Sequence, residues 1–139
     1  MTDLIEVRVS NLVGAALDWA TGIADGRELE LPGAVRGRTS VVWCDPFVVK
    51  REGHPDFHDK TRRKWRPSTD WRDGGPLLDK HLGSVSFDKY LAFGPCTYSA
   101  GVPGTSAYLS GPTALVAFCR SLVQARLGDT VQVPKELMP

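Results

Sequence analysis

Residues Trp65 to Pro76 read WRPSTDWRDGGP. Within them lie two carboxylates (Asp70, Asp73), two guanidinium groups (Arg66, Arg72), two hydroxyls (Ser68, Thr69), two indoles (Trp65, Trp71) and the adjacent glycines Gly74 and Gly75. Asp79 and His81 follow closely. Paired carboxylates can do general acid–base work when their surroundings push their pKa values apart. Asp is also a common turn residue, and a turn role is favoured for Asp73, just ahead of Gly-Gly. Asp70 stands between Thr69 and Trp71. A hydroxyl, an acceptor and an aromatic face in consecutive positions could grip a planar, hydrogen-bonding ligand. Gly74 and Gly75 precede a helix expected to open at Pro76. Uncovered N–H groups there, at the positive end of a helix dipole, would favour an anion. Gly111 and Thr113, at the start of the last helix, offer a second such place. Neither is a P-loop, because the chain has no GxxxxGK[ST].

No nucleophile stands out. Cys119 lies on an apolar helix stripe and reads as inert core. Cys44 and Cys96 have no His close in sequence, and Ser84, Ser86 and Ser110 lack a nucleophile-elbow context. The widely spaced cysteines fit reduced thiols better than a disulfide framework. The pair His54 and His58 has a loop-forming Pro55 between its members, so no metal or other cofactor is expected. The run Lys60-Thr61-Arg62-Arg63-Lys64 ahead of Trp65 could touch nucleic acid. A net charge of +1 makes a solvated loop the better account of it. No apolar run approaches the length of a membrane span, and the start MTDLIEVRVS is not a signal peptide. A cytoplasmic protein is the expectation.

These groups need elements to position them. At 139 residues the chain reads as one domain, residues 1–139, long enough to bury a core without staples. LIEVRV (4–9) alternates as a half-buried strand. A helix over about 11–25 carries Leu12, Ala16, Ala20 and Ile23 as a stripe, with Ser10 or Asn11 as cap, Asp18 beside the stripe and Gly26 as stop. Short strands are expected at Leu29, over 39–44 and over 46–50, with GAVRGR (33–38) as a loop. Residues 51–64 read as a polar mobile loop. PLLDKHL (76–82) reads as a short helix, 84–93 as one or two strands and 94–110 as an irregular insertion. Over 112–127, Leu115, Val116, Cys119, Leu122, Val123 and Leu127 give the spacing of a buried helical stripe. TVQVP (130–134) alternates as a strand. The expected class is α+β: a small mixed or antiparallel sheet packed with two main helices, about 11–25 and 112–127.

Three blocks, GAALDWA (14–20), RPSTDW with GGPLLDKH (66–81) and GPTALVAF…LGDTVQVP (111–134), together resemble the NinX-like phage proteins. That family carries Ser or a similar residue where Arg66 stands, preceded by an aromatic, which Trp65 supplies here. It carries Met where this chain has Phe118 or Cys119. The resemblance implies a phage or prophage origin and an accessory role in the host cytoplasm, with no established reaction. Together with the residues it suggests a binding protein for a small polar, nucleotide-like ligand, such as a host immune signal. Trp71 would stack on a base, Asp70 would accept from an amine or ribose hydroxyl, and Ser68 and Thr69 would donate. The Gly74 and Gly75 amides would take a phosphate, helped by Arg66 or Arg72. One alternative is a nucleotide-acting enzyme using Asp70, Asp73 and His81. Another is an inhibitor that docks on a host protein through Trp65 and Tyr98. A homo-oligomer is also expected, since Trp19, Trp43, Phe47, Phe118 and the last helix all need cover, with the 51–64 loop of one subunit closing over the 65–76 stretch of another.

Overall fold

The last helix, α3 (Ala114–Leu127), runs through the middle of the molecule, and every residue from Leu115 to Val123 is buried. Such continuous burial requires cover on several sides. α1 (Gly14–Asp25) packs along one side of α3. A sheet of β5 (Ser84–Phe87), β6 (Tyr98–Gly101) and β7 (Leu109–Gly111) packs along another. A third contact comes from α2 (Trp71–Lys80). Leu12, Ala16, Leu17 and Ala20 of the α1 region meet Phe118, Cys119, Leu122 and Val123 of α3 in one core. Phe118 is fully buried in this core. The computed structural model describes residues 3–31, 41–87, 98–105 and 108–139. The expected loop at 33–38, the strand residues 88–93, and Cys96 with the first part of the 94–110 insertion lie outside these.

The chain ends pair with each other. β1 (Leu4–Arg8) lies antiparallel to β8 (Thr130–Pro134), with Ile5 opposite Val133 and Val7 opposite Val131. The alternation read from the sequence therefore turns one apolar face inward. Between β1 and α1 the backbone differs from expectation. Ser10 and Asn11 belong to a short 3-10 turn (Val9–Asn11), and the N-cap position of α1 is Val13, which supplies no side-chain bond. Gly26 ends α1 at φ +77°, and its N–H bonds back to Gly22 and Ile23. Ile23, placed on the buried stripe, is exposed.

A second sheet contains β2 (Leu29–Glu30), β3 (Val42–Val49) and β4 (Phe57–Lys64). Most of the expected loop at 51–64 is thus a strand, paired with β3 over eight residues. The sequence FHDKTRRK lacks alternation because both faces of this strand are largely solvated. Its order comes from the β3 ladder and from Lys60 and Arg62 reaching back to Glu28 and Glu30 at 2.7 and 2.9 Å. Likewise, the expected irregular insertion at 94–110 contains β6 and the start of β7, which flank a turn at Pro103–Gly104. The small antiparallel sheets and the helices make one compact α+β domain.

Candidate functional site

The segment 65–76 is built around a buried anchor. Trp65 follows β4 directly and is 1% exposed, with the Arg27 guanidinium 4.7 Å from its ring centroid. α1 approaches it so closely that a Cβ on Gly22 would lie 3.0 Å from Trp65 Cζ3 and 2.5 Å from Leu29 Cδ1. Trp65 is therefore core. At 1% exposure its ring offers no face to a ligand, and it is not available for the docking role that one reading of the sequence gave it.

Beyond the anchor the chain turns tightly. The N–H groups of Thr69 and Asp70 both donate to the Arg66 carbonyl. Asp73 holds this turn against β4: its buried carboxylate accepts from Arg66 N at 2.9 Å and from Arg63 Nη1 at 3.0 Å. Asp70 is the N-cap of α2. Its side chain accepts from Arg72 N at 2.9 Å, and its carbonyl accepts from the N–H groups of Asp73 and Gly74. The helix thus opens at Trp71, five residues before Pro76, and Gly74 and Gly75 lie inside it. The expected anion site on their amides is not formed, because Gly74 N already bonds to Asp70 O at 2.9 Å. Gly74 is needed for space: a Cβ there would collide with the Pro67 carbonyl oxygen and come within 2.7 Å of Leu115 Cδ2. Gly111 is also a packing glycine, with no room for a Cβ beside Ala117 N at 2.8 Å.

Ser68 is held from behind by α1. Its N–H donates to Asp18 Oδ1 at 2.9 Å, and both residues are buried. Burial pushes the Asp18 carboxyl up to about 6; the Ser68 hydroxyl and N–H and the charge of Arg66 hold it down in part, while Asp73 raises it. The Ser68 Oγ is wholly buried, against this carboxyl. Asp18 was visible in the sequence only as a carboxylate beside an apolar stripe. The signal available was that its helical neighbours Ala16, Leu17 and Ala20 are all core residues.

In front of Ser68 opens a cleft of about 440 Å³, lined by Ser68, Thr69, Trp71, Tyr98, Pro112, Thr113 and the first residues of α3, Ala114 to Val116. Of the residues expected at the site, Ser68, Thr69, Trp71 and Thr113 share this cleft, and Trp71 is 57% exposed. Trp65, Arg66, Asp70, Gly74, Gly75 and Gly111 are not among its lining. Tyr98 and the 114–116 turn are additions that sequence spacing does not reveal, because β6 and α3 reach the cleft only through the tertiary fold.

The remaining chemical groups lie elsewhere. His81 Nε2 sits 2.7 Å from Asp25 Oδ1, and the same carboxylate takes Lys80 Nζ at 2.8 Å and Arg27 Nε at 2.7 Å. Burial pushes the Asp25 carboxyl up, but the bonds from Lys80 and His81 and the charge of Arg27 outweigh it and hold it below the usual carboxylate range. This cluster ties the end of α1 to the end of α2. Burial raises the Cys119 thiol to about 12, so it stays protonated. Among the described residues no group of three or more His, Cys, Asp or Glu is placed to hold a metal ion. No helix among them is long and apolar enough to cross a membrane.

A family model described as Bacteriophage P22, NinX matches residues 8–126, and the chain belongs to this phage protein family. The match spans the cleft and every element that shapes it. No curated protein matches the chain.

Proposed function

We propose that this NinX-family chain is a phage accessory protein that binds a small, polar, ring-bearing ligand in the cleft between the 68–71 stretch and the start of α3. The observation that carries this is Trp71. A helix start needs no indole, yet this one stands more than half exposed on the wall of a cleft whose other walls supply hydroxyls from Thr69, Thr113 and Tyr98. An exposed aromatic face beside convergent donors suits a flat, hydrogen-bonding molecule such as a nucleobase. Binding is favoured over turnover because no carboxylate or imidazole is among the described residues that line the cleft. Asp70 caps a helix, Asp73 ties down a turn, and His81 is held by Asp25. For a phage, a protein of this kind would serve by withdrawing a host metabolite or signalling nucleotide from circulation in the infected cell.

Protein isolated natively from host cells and then denatured should release such a compound, identified by mass spectrometry. The Trp71→Ala protein prepared alongside should release none. If neither protein carries an enriched compound, and a panel of nucleosides and nucleotides leaves the NMR signals of Thr69, Trp71 and Thr113 unmoved, the proposal is overturned.

A further inference from the structure

We infer that the cleft is a clamp with two aromatic walls, Trp71 and Tyr98, that Phe87 is the positioning residue of the Tyr98 ring, and that the group clamped is a flat bicyclic ring of the purine kind. This rests on the cleft being the ligand site and names the part of the ligand it grips.

The fold puts the two rings on different walls. Trp71 opens α2 and belongs to the 68–71 stretch. Tyr98 opens β6, whose register sets it opposite Gly111 of β7, one residue before Pro112. Tyr98 therefore shares the wall built by Pro112 to Val116, across from Trp71, and both rings line the same cleft. Tyr98 is half-buried and packed against the core, so its wall is a fixed one.

The orientation of the Tyr98 ring has a visible cause. Phe87, Tyr98 and Gly111 form one row across β5, β6 and β7, and residues paired in this way carry their side chains on one face of the sheet. On one side Tyr98 meets the Phe87 ring, with centroids 5.5 Å apart and planes at 69°. That is the edge-to-face arrangement that aromatic quadrupoles favour. On the other side Gly111 has no side chain, and a Cβ there would come within 2.8 Å of Ala117 N. Of the two cross-strand neighbours, only Phe87 can hold the ring. Phe87 is itself 62% exposed, so burial in the core does not account for an aromatic at this position.

The chemistry of the lining selects the ligand. Among the described residues the lining has no charged side chain, and the hydroxyls of Thr69, Thr113 and Tyr98 supply its polar contacts. A hydroxyl both donates and accepts, and it rotates to suit. Such a lining does not read one fixed pattern of donors and acceptors on the edge of a base. It reads ring area, because stacking and burial grow with the surface that two rings share. A purine gains over a pyrimidine on both walls, and the identity of the purine matters little.

The test uses adenosine, inosine and uridine. The first two share a ring system but reverse its hydrogen-bonding edge: an amine beside a ring acceptor in one, a carbonyl beside a ring N–H in the other. In NMR titrations of the full chain, adenosine and inosine should bind within about threefold of each other and at least about fivefold tighter than uridine. Adenosine should shift the ring signals of both Trp71 and Tyr98. Tyr98→Leu should weaken adenosine by about tenfold or more, and Tyr98→Phe, which keeps the ring, by less than about threefold. Phe87→Leu should weaken adenosine several-fold and move the Tyr98 ring signals of the free protein, and Phe87→Tyr should restore both. If adenosine binds and moves Trp71, yet Tyr98→Leu binds it equally well, the clamp is refuted and the ring site on Trp71 stands. Uridine binding as tightly as adenosine overturns the purine assignment, and wild-type behaviour of Phe87→Leu overturns the positioning role. If all three nucleosides leave both rings unmoved, the ring-site reading fails and the clamp fails with it.

Discussion

Replacing Asp18 with Asn should stabilise the protein at neutral pH, although Asp18 is buried and hydrogen-bonded. In the folded chain its carboxyl titrates at about 6, against 3.8 for a free side chain. Between those values the folded state holds a proton that the unfolded state has lost. Stability therefore falls as pH rises through this window. About two pH units at about 1.4 kcal/mol each amount to about 3 kcal/mol lost by pH 8. Asn keeps an oxygen to accept from Ser68 N and cannot ionise. Its amide is also a donor, which the Ser68 hydroxyl can accept. Urea unfolding at pH 4.5 and pH 8 measures the effect. The wild-type chain should lose on the order of 2–3 kcal/mol from this group, and Asp18→Asn should lose none of that part. At pH 8 the variant should be the more stable by about 1–3 kcal/mol, and at pH 4.5 the two should agree within about 1 kcal/mol. An unchanged pH slope, or a variant less stable than wild type at pH 8, would refute the reasoning that burial dominates this carboxyl.

The two indoles of the central segment should separate cleanly. Trp65→Ala should cost about 3–5 kcal/mol in a thermal or urea melt, whereas Trp71→Ala should cost less than about 1 kcal/mol and remove ligand binding. Asp70→Ala should cost about 1 kcal/mol, the usual loss of a helix cap. The two adjacent glycines should respond in opposite directions: Gly74→Ala should destabilise by about 1–3 kcal/mol through collision with the Pro67 carbonyl, and Gly75→Ala, which meets only Trp71 Cε3 at 3.8 Å, should stabilise by about 0.5–1 kcal/mol. Asp25→Ala should cost on the order of 2–3 kcal/mol because it removes the buried acceptor of His81 together with the ion pairs to Arg27 and Lys80. Because the Asp25 carboxyl titrates below its free value, its contribution is complete above about pH 4 and disappears as the pH falls further, opposite in sign to Asp18. Melts across pH 2–6 should show an acid-side loss in wild type that is smaller in Asp25→Ala.

Legibility in the sequence tracked burial. β1, β8 and α3 each turn a regular apolar face to the core, and their periodicity announced them. β4 did not, because a strand solvated on both faces has no reason to alternate. The start of α2 was misplaced because Pro76 is a strong local signal for a first helical position. The Asp70 cap and the bonds of Asp73 to Arg63 and Arg66 carry the helix back to Trp71 regardless. Of the residues lining the cleft, short-range spacing singled out Ser68, Thr69, Trp71 and Thr113, which sit at turns or helix starts where local chemistry is readable. It could not separate Trp65 from Trp71. Both flank the same polar turn, and only the approach of Gly22 and Arg27 decides that one of them is core. Tyr98 and Asp18 reach the site from elements distant in sequence, and spacing carries no trace of that.

The pairing of β1 with β8 also bears on how the protein is made. A ribosome releases β1 long before β8, its partner, which ends at Pro134. At roughly 5–20 residues per second, the first strand waits on the order of ten seconds for the residues that will complete it. α1 waits nearly as long for α3, with Leu12, Ala16 and Leu17 uncovered meanwhile. The cleft wall formed by 112–116 arrives in the same late interval. The nascent chain therefore keeps this apolar face open until residues 112–134 emerge, and binding competence should appear abruptly once they have.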